Sequence, residues 1–286
     1  MIDGHEQTLP TQVNKDQPKK LEWGRSEWVS YSLRNWKSMI PFIPMVKDIA
    51  SSAKNGEKRS LTNDLVRAGE IFKTNTIIEG EENIPETGGA IFAISHVAAT
   101  NNFPGWGEGK DNIIWWAVGV ANALKNRRGE KADFRPMTLA PGGLGGEQWR
   151  SVLDTYGGFP IDQNNPREAI RSIMEAKTAA ENGDVVLISP EGETYTGLTE
   201  PKRGLIKIAS SGIPIIPVGF LQEQQTDGSY VYHVLFGEQI VPDADKLKTK
   251  TDEIKLLDSV MEGMARLLPE EMRGVYSTKS KETDSI

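Results

Sequence analysis

The sequence predicts an α/β fold, with a largely parallel or mixed central sheet covered by helices and an N-terminal amphipathic helical appendage. Two observations predict this fold. Short apolar runs alternate with segments of helical periodicity, which is typical of strands and helices that take turns along the chain. Several apolar runs also end abruptly in polar residues, as strands do at the carboxyl edge of an open parallel sheet.

Composition limits the class of protein. The chain has 286 residues, which is enough for one large domain or a domain with an appendage. A net charge of -7 argues against nucleic acid as a main partner, because nucleic-acid-binding domains usually carry a basic face. The chain contains no cysteine, which excludes a disulfide framework, a thiolate metal site and a cysteine nucleophile.

The N-terminal region is expected to contain two different segments. Residues 1–20 are polar and charged, which predicts a disordered tail without the apolar core of a secretory signal. Residues 21–60 contain Trp23, Trp28 and Trp36, and between residues 19 and 60 nine Lys and Arg face four Asp and Glu. This composition suits either an amphipathic segment in a membrane interface or a helix that packs its tryptophans on the domain.

Residues 61–270 are predicted to form the α/β domain. Its first half should contain a helix over 61–73, short strands over 76–79 and 90–94, and a turn between these strands. The apolar run 113–120 fits either a buried strand or the start of a helix. The stretch 141–146 is glycine-rich but matches no nucleotide-binding fingerprint, so it is interpreted as a loop.

The second half of the domain continues the alternation. A helix is predicted over 166–181, because Pro166 suits the first helical turn and Asn182-Gly183 can end it. The elements expected after it are a strand over 184–189, a helix over 204–211, strands over 213–220 and 230–236, and a final helix over 252–268. Residues 271–286 are expected to form a C-terminal tail. No apolar run reaches the roughly 18 residues that a membrane-spanning helix needs, so action on lipid would take place at a membrane surface.

His96 is the first candidate catalytic residue. The apolar run Ala90–Ile94 leads into Ser95 and His96 at the expected carboxyl edge of the sheet. A histidine there can act as a general base near neutral pH, since its ordinary pKa is about 6.5. The alternative is that His96 ends the strand and bonds to backbone.

Four blocks in order, over residues 85 to 221, resemble the glycerolipid acyltransferase family of 1-acylglycerol-3-phosphate and lysophospholipid acyltransferases. They are His96 with Asn101 five positions on, Gly157–Asp162, Ile188–Thr194, and Lys202-Arg203-Gly204 leading into Ile213–Val218. The family's versions are His-x-x-x-x-Asp, a Gly-Ile-Phe-Ile-Asp-Arg-like block, Phe-Pro-Glu-Gly-Thr and Val-Pro-Ile-Ile-Pro-Val. Each block alone is a weak signal, whereas the common order makes the resemblance specific.

The resemblance implies transfer of a fatty acyl group from an acyl thioester, carried by coenzyme A or acyl-carrier protein, to the hydroxyl of a lysophospholipid or related alcohol. It makes His96 the base, with Asn101 and Glu191 as the other catalytic candidates. It also implies a role in phospholipid biosynthesis, and a cytoplasmic location, peripheral on the inner face of the membrane. The substrate-binding candidates are Asp162, Gln163, Pro190, Gly192, Thr194, Lys202 and Arg203.

Three departures from the family pattern concern the chemistry. Asn101 stands where the family has Asp, and a neutral amide can orient an imidazole without offsetting its positive charge. Either another carboxylate, such as Glu191, Glu108 or Asp111, assists the base, or the amide suffices for a slow reaction, or the protein binds lipid without catalysis. Gln163 and Thr194 or Tyr195 replace two usual arginines, which indicates an acceptor other than a simple glycerol phosphate, or one bound mainly by Lys202 and Arg203.

Other classes of function have weaker support in the sequence. A catalytically weak or inactive relative that binds lipid or an acyl carrier is the main alternative. A serine hydrolase lacks its Gly-x-Ser-x-Gly elbow, and a metalloenzyme lacks clustered histidines or a His-Glu-x-x-His helix. We therefore expect no metal and no cofactor.

Overall fold

A computed structural model of the protein describes residues 18–19, 40–97, 115–139, 146–162, 164–193 and 195–277. The prediction for the N-terminal tail lies almost entirely outside these residues, as do those for residues 21–39, the glycine-rich stretch up to residue 145, Asn101, Gln163, Thr194 and residues 278–286. The first part of the predicted C-terminal tail is described and is folded, because it forms short 3₁₀ turns in which Met272 and Tyr276 are buried. The other predicted elements fall within the described residues.

The sheet has seven strands in the described residues, in the order β1-β7-β6-β2-β5-β3-β4. Strands β6, β2, β5, β3 and β4 are parallel, whereas β7 is antiparallel to β6, and β1 is parallel to β7. The mixed sheet confirms the predicted fold class. The strands are β1 (Asn75–Glu79), β2 (Ala90–Ile94), β3 (Phe134–Leu139), β4 (Phe159–Ile161), β5 (Val185–Ile188), β6 (Ile215–Gln224) and β7 (Tyr230–Phe236).

The described helices connect and cover these strands. They are α1 (Ile43–Asn55), α2 (Leu61–Phe72), α3 (Trp115–Arg128), α4 (Gly146–Thr155), α5 (Pro166–Glu181), α6 (Gly204–Ala209) and α7 (Lys250–Leu267). Side chains cap three of the predicted helices, since Ser60 accepts the backbone N–H of Asn63 at α2, Asn165 accepts that of Glu168 at α5, and Thr249 accepts that of Asp252 at α7. None of the described helices is long and apolar enough to span a bilayer.

Strand β2 is buried on both faces, which explains why its sequence is apolar without alternation. Phe92 and Ile94 belong to a hydrophobic core beneath α2 and α3. Ile91 and Ala93 belong to a second core, on the opposite face, formed with α5, α6 and α7. A strand that is covered on both faces has a continuously apolar sequence, as interior strands of parallel sheets generally do. Strand β2 therefore holds the residues that follow it on a well-packed support.

The apolar run 113–120, which fitted a strand or a helix, belongs to α3 from Trp115 onward. Val120 and Leu124 pack on the sheet, whereas Val118 packs against Met45 of α1. A helix enclosed on two sides has no polar face, so its sequence lacks the period that would identify it.

Helix α1 runs from the carboxyl edge of the parallel strands toward their amino edge. Near its start, Met45 packs with Tyr232, close to the beginning of β7, which pairs with the end of β6. Near its end, the Ala53 carbonyl accepts a hydrogen bond from the Ser151 hydroxyl of α4. Just beyond α1, Arg59 donates its N–H to the carbonyl of Thr155, the last residue of α4. The start of α1 therefore lies at the sheet edge where β2 and β5 end. Pro44 falls in the first turn of α1, where a proline is tolerated.

Candidate active site

The site is built where β2 and β5 end side by side. These strands are adjacent and parallel, with Ala93 opposite Ile188. His96 and Glu191 each follow that pair by three residues, so the register brings both to one place at the carboxyl edge. Ser95 continues the ladder on the other side of β2, donating its N–H to the Val218 carbonyl at 2.9 Å.

Glu191 is a buried carboxyl group, 1% exposed, that is joined to the backbone. One carboxylate oxygen accepts the N–H of His96 at 3.1 Å, and the other accepts the N–H of Thr199 at 3.2 Å. Burial raises the pKa of Glu191 to about 7, and the two backbone bonds oppose that rise. Glu191 therefore links the end of β2 to the segment after β5.

The imidazole of His96 is held through a main-chain acceptor. Burial lowers its pKa below the ordinary 6.5, and a hydrogen bond to the backbone carbonyl of Glu193 partly offsets that effect. A neutral imidazole that donates from one ring nitrogen has its lone pair on the other, so this bond selects the tautomer. The lowered pKa favours the neutral form, which can accept a proton.

The segment Tyr195–Glu200, here called the site loop, is fixed at several points along its backbone. Tyr195 donates its N–H to the His96 carbonyl at 3.3 Å and forms a parallel bridge with Val97. Thr196 exchanges two hydrogen bonds with Lys19, each of 3.0 Å. Leu198 accepts and donates backbone bonds to residues 272–275. The site loop is thus a well-anchored part of the fold.

Of the two predicted cations after β5, Lys202 lies closer to the Pro-Glu-Gly turn. Its N–H donates to the Pro190 carbonyl at 2.8 Å, and its Nζ lies 2.9 Å from where a Cβ on Gly192 would stand. Gly192 also has φ +74°, which favours glycine. Arg203 is exposed and forms an ion pair with Glu253 of α7.

Asp162 lies at the same edge but two strands from Glu191, because β3 separates β4 from β5. Its carboxylate accepts the N–H of Asn164 at 2.9 Å and pairs with Arg150 of α4 at 3.4 Å. Arg150 also lies 3.7 Å from Glu168. The structure brings His96, Glu191, Pro190, Gly192 and Lys202 together, and it places Asp162 apart from them.

Three features of this edge were not identified from the sequence. They are the Glu193 carbonyl beside the imidazole, the cation of Arg150 beside Asp162, and Ser189, whose buried hydroxyl has no hydrogen-bond partner among the described residues. A main-chain acceptor has no sequence signal. Ser189 could have been found from its place at the end of an apolar run, as His96 was.

A cleft of about 530 Å³ lies at the opposite edge of the sheet. Arg135 near the start of β3, Gly158 before β4 and Asp184 before β5 contribute to its lining. Ligands of open α/β sheets bind beyond the carboxyl ends of the strands, so the chemistry of His96 and Glu191 outweighs the size of this cleft. Among the described residues, no three His, Asp or Glu side chains are grouped as a metal site would require.

Comparison with known families supports the class of protein that this edge indicates. The Acyltransferase family model matches residues 122–221, a stretch from α3 to β6 that includes Glu191 and Lys202. This match over part of the chain supports the resemblance seen in the motifs.

Among solved structures, the chain is similar to the crystal structure of the 1-acyl-sn-glycerophosphate (LPA) acyltransferase PlsC from Thermotoga maritima. The two are 13% identical with a TM-score of 0.47, and the match covers 91% of this chain and 98% of that chain. Comparison with curated proteins gave no match.

Proposed function

We propose that the protein transfers a fatty acyl group from an acyl thioester to the hydroxyl of a lysophospholipid or a related alcohol, with His96 as general base. The observation that carries this proposal is the junction of His96 and Glu191 at the ends of adjacent strands, joined by a bond of 3.1 Å. An imidazole with a lowered pKa is neutral and ready to accept a proton at physiological pH.

The reaction assigns one proton transfer to His96. The acceptor hydroxyl gives its proton to the imidazole while its oxygen attacks the thioester carbonyl carbon, forming a C–O bond. The tetrahedral intermediate then collapses, the C–S bond breaks, and the imidazolium returns the proton to the leaving thiolate. General base catalysis of this kind contributes roughly 10²–10⁴ in rate.

Glu191 acts as a positioning residue in this proposal. Its carboxylate bonds to the backbone of His96 and of Thr199, so it fixes the imidazole relative to the site loop. The Glu193 carbonyl orients the ring as a neutral acceptor, which stabilises an imidazolium less than a carboxylate would. We therefore expect a slower enzyme than one in which a carboxylate contacts the ring.

The substrate-binding roles follow from charge and place. Lys202 lies over the Pro-Glu-Gly turn and is suited to an anionic group of the acceptor or the donor. Arg203 is a second cation beside it, although its pair with Glu253 must be shared or broken to bind an anion. Asp162, Pro190 and Gly192 shape the same edge, and Asn101, Gln163 and Thr194 keep the roles that the motifs imply.

The protein is proposed to act at the cytoplasmic face of a membrane, without crossing it. Ile40, just before α1, and Ile43 and Val46, in its first turn, are large apolar residues that are each 46–47% exposed, at the same sheet edge as His96. Trp149 near the start of α4 is exposed as well. An apolar surface at the mouth of the site would allow a lipid acceptor to enter directly from the bilayer.

The membrane role can be tested by vesicle flotation. Replacing Ile43 and Val46 by glutamate should reduce binding to anionic vesicles at least tenfold, because it removes apolar area and adds negative charge. The matched control is Ile254→Glu, which changes an exposed isoleucine of α7. Equal vesicle binding by the two variants would contradict the proposal that Ile43 and Val46 contact the membrane.

The activity is tested with purified protein, radiolabelled acyl thioesters and a panel of lysolipids and alcohols. Acyl-coenzyme A and acyl-carrier protein are assayed in parallel as donors. His96→Ala should abolish transfer, whereas His233→Ala, which changes a histidine paired with Glu223, should leave it within about twofold. Loss of transfer in both variants, or in neither, would contradict the role of His96.

A second candidate function is lipid or acyl-carrier binding with little catalysis. The neutral carbonyl partner of the His96 ring favours this reading, as does Asn101 at the family's Asp position. Binding of lipid or acyl carrier without measurable acyl transfer, with the same affinity in His96→Ala, would support this second function over the acyltransferase.

A further inference from the structure

The C-terminal turn Gly274–Tyr276, together with Met272, lies against the site loop. Leu198 donates its N–H to the Met272 carbonyl at 3.0 Å and accepts the N–H of Val275 at 3.1 Å. Leu198 is fully buried, in a hydrophobic cluster that also contains Met272 and Tyr276. These contacts fasten the middle of the site loop to residues far beyond the stretch 122–221 that matches the family.

We propose that this turn is a positioning element for His96, acting through Leu198, Thr199 and Glu191. The inference rests on the proposed function for its role in catalysis. Thr199 follows Leu198 directly and donates its N–H to one oxygen of Glu191. The other oxygen accepts the N–H of His96, so a displacement of Leu198 is passed on to the end of β2.

Gly274 is the residue on which this contact depends. A Cβ added at Gly274 would lie 2.1 Å from the Leu198 carbonyl oxygen and 2.7 Å from its nitrogen, whereas real Cβ contacts stay beyond 3.0 Å. Both close atoms belong to backbone, so the two segments would have to separate by roughly 1 Å. On the opposite side, a Cβ on Gly197 would lie 3.0 Å from the Gly274 Cα, so neither segment can accept the added atom without moving.

A separation of that size is large enough to matter for the chemistry. The Thr199 N–H bond to Glu191 is 3.2 Å, and a further 1 Å would take it beyond hydrogen-bonding distance. A misplacement of about 1 Å caused by a change remote from the reacting atoms can cost about 10² in rate. Because the Thr199 bond opposes the rise in the pKa of Glu191, its loss should raise that pKa further.

The test compares Gly274→Ala with Gly228→Ala in the full chain. Gly228 has φ +81° in the turn between β6 and β7, and a Cβ there would meet no atom within 4 Å. Both variants carry the strain of a positive φ, but Gly274→Ala alone forces the contact apart. We expect kcat to fall 10- to 100-fold in Gly274→Ala, with KM changed less than threefold.

A readout independent of turnover is the NMR titration of the His96 ring. We expect a displaced titration curve in Gly274→Ala and the wild-type curve in Gly228→Ala. Wild-type kcat and an unchanged titration in a folded Gly274→Ala protein would overturn the proposal. If that variant does not fold, Met272→Ala loosens the same anchor without a clash and should lower kcat about fivefold, and an unchanged kcat would overturn the proposal. If the wild-type protein transfers no acyl group, the proposed function fails, and the titration alone decides the positioning role.

Discussion

Replacing Glu191 by glutamine should change how the stability of the protein depends on pH. The pKa of this carboxyl group is about 7 in the folded chain, against an ordinary 4.5. Between these values the folded state keeps a proton that the unfolded state has released, so the free energy of unfolding falls as pH rises. At about 1.4 kcal/mol per pKa unit, the complete effect is roughly 3 kcal/mol.

The assay is guanidinium unfolding at pH 5 and pH 8. Most of the effect lies between these two conditions, so the wild-type protein should lose roughly 2–3 kcal/mol that Glu191→Gln does not lose. The amide also places an N–H₂ against one of two backbone donors, which should destabilise the variant at both pH values by about 1–3 kcal/mol. The comparison between pH values cancels that constant cost.

His96 contributes with the opposite sign and does not obscure the result. Because its pKa is lowered in the folded chain, the unfolded state binds the extra proton, and stability rises with pH up to about 6.5. That contribution opposes the predicted trend in both proteins and cannot by itself produce a loss of stability as pH rises. Glu238→Gln, a change of an exposed carboxyl group, is the control. If Glu191→Gln and the control show the same pH dependence, Glu191 does not hold its proton and the reasoning from burial is wrong.

Three further predictions concern the site and its support. With the other two histidines replaced by glutamine, NMR should show the His96 ring titrating below pH 6.5, and a higher value would contradict its burial. Lys202→Gln should raise the KM for the preferred anionic substrate about tenfold, because a charge-assisted hydrogen bond is lost. The control is Lys207→Gln, which changes an exposed lysine of α6 and should leave the KM unchanged. Phe92→Ala should lower the free energy of unfolding by about 3–5 kcal/mol, since this ring is fully buried. Ile170→Ala, at a residue 61% exposed, should lower it by at most about 0.5 kcal/mol. Equal losses of the two variants in denaturant titrations would contradict the burial of Phe92.

The elements that could be predicted from the sequence are those in which the capping residues and the apolar pattern match the burial of the folded segment. Helix α5 is an example, because Asn165, Pro166 and Asn182 mark its two ends and its apolar positions keep a helical period. Strands β2 and β5 are uniformly apolar because helices cover both faces of the sheet. The position of His96 and Glu191 at one edge followed from these two strands.

Other features depend on contacts that leave no mark in a short stretch of sequence. Strand β3 contains Arg135, Pro136 and Thr138, so it offers no apolar run, although it pairs with both β5 and β4. The use of the Glu191 carboxylate is a similar case. The sequence suggested that this carboxylate assists the imidazole, whereas both of its oxygens accept backbone N–H groups of distant residues. Backbone donors are present at every position and give no pattern.

The two halves of the site are separated by 95 residues along the chain. Between β2 and β5 the chain must first lay down β3 and β4 with their connecting helices, and β5 then inserts between β2 and β3. Pairing of strands that are far apart in sequence costs loop-closure entropy before the stabilising contacts between those strands have formed. A ribosome-bound or truncated chain that ends before β5 would therefore contain His96 but lack Glu191 and the strand that holds it, so the candidate site can form only when the middle of the sheet is completed.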